Sequence, residues 1–364
     1  MRRSAIICVL AALCVAIALA ACGASQAGTA AHANETTGAA GDGDSNGGDI
    51  SDGGDSGDGG DSNGGNISGG GDSGDSGAAA GTKRLRVVAS IYPMYDFAKK
   101  IGGGAADVDL LMPAGAEPHE WEPTPADIAA LERADVFVYN GMGIEPWADR
   151  VLASLGNGSI ITCVASQNTA HGMNPHVWLD PSYAKQQLAN IKAAFERADP
   201  AQAAQYGKAL EEWTLAMDSL DAEFAEALSD NPGASSVTPA SPTSPAPAAP
   251  IVRREVFVTH DAFGYMCDAY GLTQVAAVGI SPDAEPEPAR MAEVIRQAKE
   301  RGATTIFYED NGSPKVAQAI AESIGGKTAA LSPVEAIGEV ELAAGEDYFT
   351  KMRANLAALM EALR

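Results

Sequence analysis

The chain has 364 residues, with 48 acidic against 24 basic side chains and a formal net charge of −24. So acidic a surface excludes nucleic acid as the main partner, because phosphate recognition needs a basic footprint. The length exceeds what one core usually organises, so more than one folded unit is expected.

Residues 1–22 have the form of an export leader: Arg2 and Arg3 start it, and Ala5 to Ala20 is apolar yet short for a membrane span. The run closes on Leu19-Ala20-Ala21-Cys22, which resembles a bacterial lipobox. That resemblance implies cleavage before Cys22 and a diacylglyceryl group on its thiol, anchoring the chain outside the cytoplasm on the cell membrane. Residues 23–82 contain no Lys or Arg, ten acidic residues and a Gly/Ser/Asp/Asn repeat. Almost nothing there can offset chain entropy, so a disordered tether is predicted. A Gly-rich coil of about 60 residues reaches roughly 45 Å. The window 42–53 partly imitates an EF-hand loop, but Gly53 stands where the twelfth ligand belongs and no helices flank it.

The body, 83–364, alternates β-rich apolar runs with helical ones, the pattern of layered α/β structure with mostly parallel sheets. Its first half, 83–199, offers strands at 85–91, 108–112, 135–141 and 159–164. The second half, 251–364, offers strands at 255–260, 273–279, 304–309 and 327–333. Two lobes of four strands each are therefore predicted. Between them lies a helical stretch interrupted at Asp199-Pro200, and Pro200 suits the first turn of a second helix. That linking helix, 200–229, is long enough to cross from one lobe to the other. A Pro/Ser-rich loop, 230–250, follows it. Cys8 and Cys14 leave with the leader, so the body keeps Cys163 and Cys267, either as one disulfide or as two buried thiols.

The chain has five histidines, and three fall just after predicted strands: His119, His176 and His260. Ligands in open α/β sheets gather at the carboxyl ends of strands. His119 sits in a loop stiffened by Pro113, Pro118 and Pro123, and Glu335 follows the last strand in the same manner. Two donors from each half, meeting in one cleft, make a metal site of three imidazoles and one carboxylate.

The segments EPHEWEP, NPHVWLDP, THDAFGY with a downstream YGL, IFYEDNGSPK and LSPVEAIG together resemble the metal-binding lipoproteins that serve zinc and manganese ABC transporters. The resemblance covers essentially all of 83–364. It implies two α/β lobes joined by one rigid helix, with metal ligands His119, His176, His260 and Glu335. It also implies a membrane permease and its ATPase as partners of a monomeric binding protein. Glu309 matches a family acid and is read as supporting rather than ligating. Manganese members tend to carry a carboxylate where His260 stands, and three imidazoles with one oxygen suit tetrahedral zinc. Zinc is thus the expected cargo, with manganese the alternative. Of the His-rich loop common in zinc members, His171 alone remains here, and a solvated loop histidine is its plainer reading.

Two other classes share part of this pattern. A zinc hydrolase keeps three protein ligands and an open position for water. The chain has no HExxH motif, and Pro123 occupies the position four residues after His119. An adhesin that uses its metal structurally is the other. If Cys22 carries the anchor, Cys22→Ser will move the protein from the detergent phase to the aqueous phase in a partitioning assay, with metal binding intact.

Overall fold

The computed structural model describes residues 83–156, 158–169, 172–230, 250–282 and 284–364. The leader, Cys22, the tether, His171 and most of the Pro/Ser-rich loop lie outside the described residues. The first lobe runs β1 (Leu85–Ala89), α1 (Tyr92–Gly102), β2 (Ala106–Leu110), α2 (Pro125–Arg133), β3 (Val136–Tyr139), α3 (Ala148–Ser154) and β4 (Ile161–Val164). Then come α4 (Pro181–Ala198) and α5 (Ala203–Ala227). The second lobe holds β5 (Glu255–Val258), α6 (Gly264–Ala269), β6 (Thr273–Ala276), α7 (Pro288–Glu300) and β7 (Thr305–Tyr308). It ends with α8 (Lys315–Ile324), β8 (Lys327–Ala330), α9 (Glu339–Ala343) and α10 (Tyr348–Leu363).

Each lobe has one four-stranded sheet, ordered β2-β1-β3-β4 in the first and β6-β5-β7-β8 in the second. Every pairing is parallel, with Val87 opposite Val136, Val138 opposite Cys163 and Val258 opposite Phe307. The central strands LRVVA, VFVY, EVFV and TIFY are mostly buried. Helices cover both faces of such sheets, so their strands read as near-continuous apolar runs. Edge strand β2 exposes Asp107 and Asp109 in an alternating pattern, and charge at an edge discourages pairing with another chain.

Local chemistry sets the helix ends. Thr124 and Asp127 form a reciprocal capping box at α2, and Asp347 with Thr350 does the same at α10. Gly325 closes α8 at φ 71°, where a side chain would be strained. Before Pro200 the backbone leaves helical geometry, with Asp199 at φ −138° and ψ 78°, because the ring of a following proline crowds the α conformation. Pro200–Gln202 forms a single 3-10 turn, so the α-helix starts at Ala203 rather than at Pro200. The 25 residues of α5 make a rod of about 37 Å.

Helix α5 touches both lobes. Tyr206 packs on Phe195, with ring centroids 5.5 Å apart. Midway, Trp213 donates to the Lys100 carbonyl at 3.1 Å and stacks on Phe349. Further along, Phe224 stacks on Tyr270, and Glu223 pairs with Arg353 at 2.8 Å. The largest cluster of buried apolar residues runs through both lobes, from Val87 and Phe97 to Val258 and Leu359. Polar contacts also cross the seam. Tyr348 Oη donates to the Trp178 carbonyl at 2.6 Å, and Trp178 Nε1 donates to the Pro333 carbonyl at 2.8 Å. Lys100 of α1 binds both Asp96 and Asp347, at 2.8 and 3.0 Å.

Cys163 and Cys267 are free, buried thiols, one on β4 and one on α6, so the disulfide alternative is removed. Helix α9 was not anticipated; it is five residues long and buries none of them.

Tyr348 is fully buried, so Tyr348→Phe leaves the Trp178 carbonyl without its donor. An unpaired buried acceptor costs about 1–3 kcal/mol. The midpoint of urea unfolding is expected to fall accordingly, with no change in its slope.

Candidate metal centre

All four sequence-predicted ligands arrive at carboxyl ends of strands. His119 lies on the loop after β2, His176 after β4, His260 two residues past β5 and Glu335 five past β8. One ligand atom from each falls within 4.8 Å of the other three. The His119 and His176 Nε2 atoms are 3.3 Å apart, and Glu335 Oε1 is 2.5 Å from His176 Nε2 and 3.7 Å from His119 Nε2. The His260 ring stands 4.9 Å from that of His176 and 5.5 Å from that of His119, centroid to centroid. His176, His260 and Glu335 are fully buried, whereas the His119 side chain keeps 8 % exposure. His119 therefore marks the side from which the cluster is reached.

Neighbouring groups fix the direction of each imidazole. Asn174 Oδ1 sits 2.6 Å from His176 Nδ1, and its amide is held in that sense because Nδ2 donates to the Asp261 carbonyl at 2.7 Å. Such an acceptor keeps the proton on Nδ1 and leaves the Nε2 lone pair facing the centre. Glu309 Oε1 lies 2.7 Å from His260 Nδ1, an ion-pair contact on the side of that ring away from the centre. Neither nitrogen of His260 has a well-aligned hydrogen bond among the described residues. Both Glu335 oxygens lack a well-aligned hydrogen bond despite the short approach to His176. Buried polar atoms are almost always satisfied, so these orphans describe a set of lone pairs arranged around one point.

The loop that presents Glu335 is held from three directions. Asn355 of α10 accepts from Ser332 N at 2.8 Å and donates to Ser332 O at 2.7 Å. Trp178 binds the Pro333 carbonyl, and Tyr92 N donates to the Glu335 carbonyl at 3.3 Å. Val334, next to the ligand, sits at φ +57°. A β-branched residue there is a genuine outlier, and such strain persists only where surroundings over-determine it. Behind His176, Asn140 donates to the Pro175 carbonyl at 3.0 Å and accepts from Gln187 at 2.8 Å. Buried Glu145 in turn accepts from Asn140 N, Gly141 N and Ser90 Oγ at 2.6–2.9 Å. Burial pushes its carboxyl up to about 7, against those hydrogen bonds. Asn174, Asn140, Asn355 and Trp178 were not singled out in the sequence. The Asn two residues before His176 was a readable sign, since Asn side chains bond backbone two residues on.

The charges oppose one another. Burial pulls His176 below the usual histidine range, outweighing the Glu335 carboxylate. Burial also pulls on His260, but the hydrogen bond and charge of Glu309 win and raise it. Burial would raise Glu335, yet the surrounding imidazoles hold it well below the carboxylate range.

Two lobes of parallel α/β structure with a buried three-histidine, one-carboxylate cluster at their seam have the architecture of a two-lobed, helix-linked binding protein. Residues 87–242 and 245–362 match the family described as zinc-uptake complex component A, periplasmic. The chain belongs to that family. It is 35 % identical over 300 residues to the high-affinity zinc uptake system protein ZnuA of Bacillus subtilis (strain 168), covering 77 % of this chain and 88 % of that protein. It is 32 % identical to the zinc-binding lipoprotein AdcA of Streptococcus pneumoniae (strain ATCC BAA-255 / R6), but spans only 56 % of that longer protein. Among solved structures, the Zn(II)-bound ZnuA-like domain of S. pneumoniae AdcA matches with a TM-score of 0.65 at 32 % identity, covering 77 % of this chain and 99 % of that one. The laminin-binding protein of Streptococcus agalactiae, described as having adhesin and metal-transporting activity, matches at 0.67 and 30 %, covering 78 % and 100 %.

The opposed shifts have a direct readout in the metal-free protein. Histidine NMR is expected to show His176 remaining neutral below the pH at which an ordinary imidazole protonates, and His260 holding its proton above it. By linkage, His176 costs stability as pH falls below about 6.5, and His260 contributes stability that is lost as pH rises through its own pKa.

Proposed function

We propose that the chain captures Zn2+ outside the cytoplasm in the cluster His119, His176, His260 and Glu335 and delivers it to the permease of an ABC transporter. The observation that carries this is the convergence of four donor atoms within 4.8 Å, three of the four residues being fully buried. Three imidazole nitrogens and one carboxylate oxygen match tetrahedral zinc, while manganese favours more oxygen ligands. Glu335 supplies the charge that offsets half of the cation's, which matters where burial is costly. Acid protonates the imidazole nitrogens that the cation needs, so capture weakens as pH falls.

No catalytic role is assigned, because Glu335 occupies the position a hydrolase would leave to water. The export leader and Cys22 support a lipid anchor on the membrane surface. Adhesion is a second reading, favoured by the likeness to a laminin-binding protein of dual activity; binding of the purified protein to immobilised laminin tests it separately.

Zinc is expected to raise the unfolding temperature more than manganese at equal excess, since a ligand of the folded state stabilises by RT ln(1 + [L]/Kd). Equal shifts would overturn the zinc assignment. Glu335→Ala is expected to weaken zinc binding at least tenfold, about 1.4 kcal/mol, yet less than replacing any of the three histidines. Competition with a chromogenic zinc chelator measures it, and an unchanged Kd would reduce the site to three imidazoles.

A further inference from the structure

A second group of ligand atoms lies against the first. One carboxylate oxygen from each of Glu117, Glu309 and Glu335 falls within 4.8 Å of the other two. Glu309 is 4 % exposed and Glu335 fully buried, and neither oxygen of Glu335 has a well-aligned hydrogen bond. Glu117 comes from the loop after β2, Glu309 from the end of β7 and Glu335 from the loop after β8. Among the described residues, no Lys or Arg pairs with any of the three. Their polar contacts are the His119 amide on Glu117 at 2.9 Å, the His260 ring on Glu309 at 2.7 Å and the His176 and His119 rings on Glu335. Beside them is a cavity of about 180 Å3 lined by Glu117, Glu309, Thr259, Asn311 and Ser313 among others.

Three carboxylates this close, two of them buried, repel one another unless a positive charge lies among them. His119 lends Glu117 both its amide and some charge, but burial and the neighbouring carboxylates outweigh them. The spacing suits a cation, because oxygen donors at about 2.1–2.4 Å from one ion stand at most roughly 4.8 Å apart. Thr259, Asn311 and Ser313 on the cavity wall offer further side-chain oxygens.

We propose that Glu117, Glu309 and Glu335 form a second divalent-cation site, all-oxygen in character, that shares Glu335 with the histidine cluster. It takes hard ions such as Mn2+ and holds zinc more loosely than the imidazoles do. A cation crossing the cavity thus meets carboxylates first and nitrogen donors next, with Glu335 common to both. The proposal rests on the zinc reading only through that shared residue.

The test uses the full chain loaded with one equivalent of zinc and titrated with Mn2+, free Mn2+ being followed by electron paramagnetic resonance. The acidic surface takes up Mn2+ loosely, so the readout is the difference between wild type and Glu117→Gln. The wild type is expected to bind one further Mn2+ that Glu117→Gln binds at least tenfold more weakly, with circular dichroism confirming that the variant is folded. Anomalous diffraction at the manganese edge from wild-type crystals is expected to place that ion within bonding distance of the three carboxylates. Superposable titrations, as expected if the carboxylates share a proton instead, overturn the site; so does manganese found only on surface acids. Failure to bind the first zinc equivalent counts against the histidine cluster, whereas loss of the manganese difference alone counts against the second site.

Discussion

The buried carboxylate of Glu335 is the constraint around which the molecule is arranged. A fully desolvated anion in an apolar seam is costly unless hydrogen bonds or opposite charge compensate it, and here the compensation comes from imidazoles of the facing lobe. The structure also spends strain to put it there, with Val334 in a left-handed conformation and Asn355 gripping Ser332 from both sides. The same loop is tied by its carbonyls to Trp178 and to Tyr92 of the first lobe. The ligand's backbone is thus fastened across the seam as firmly as its side chain is aimed across it.

That fastening limits how a cation can come and go. The two sheets share one apolar core, and α5 packs on α1, α4 and α10 together. Wide hinge opening would expose much of that core. Movement confined to loops costs less, and the loop carrying His119 is the natural candidate: it bears the least buried ligand and packs as irregular chain between β2 and α2.

Much of this was legible in the sequence. Parallel strands buried on both faces are written as apolar runs, so all eight were found, seven of them two or three residues too long because composition does not say where a ladder stops, and β2 displaced, expected at 108–112 and observed at Ala106–Leu110. SIITCV, for instance, pairs only from Ile161 to Val164. The four residues that converge stood out because histidine is scarce here and three followed strand ends. The supports were hidden. Asn174, Asn140 and Glu145 act through contacts made only on folding, and nothing in LSPVEAIG announces that Val334 must adopt a positive φ. Helix α9 escaped notice because a solvated five-residue helix has no buried face to impose a period. Whether Cys163 and Cys267 joined depended on their separation in the folded chain, and they lie unpaired on β4 and α6 respectively.

The continuous core has a consequence for how such a chain tolerates change. In a protein whose lobes were separate units, a fault in one would leave the other intact. Here Phe97 packs on Tyr348 with ring centroids 5.0 Å apart, and Trp178 of the first lobe hangs on Pro333 of the second. Each lobe is part of the other's interior, so neither is a portable module that could be lifted out, swapped with a relative's or inherited alone. Any successful exchange of parts has to carry the whole seam with it.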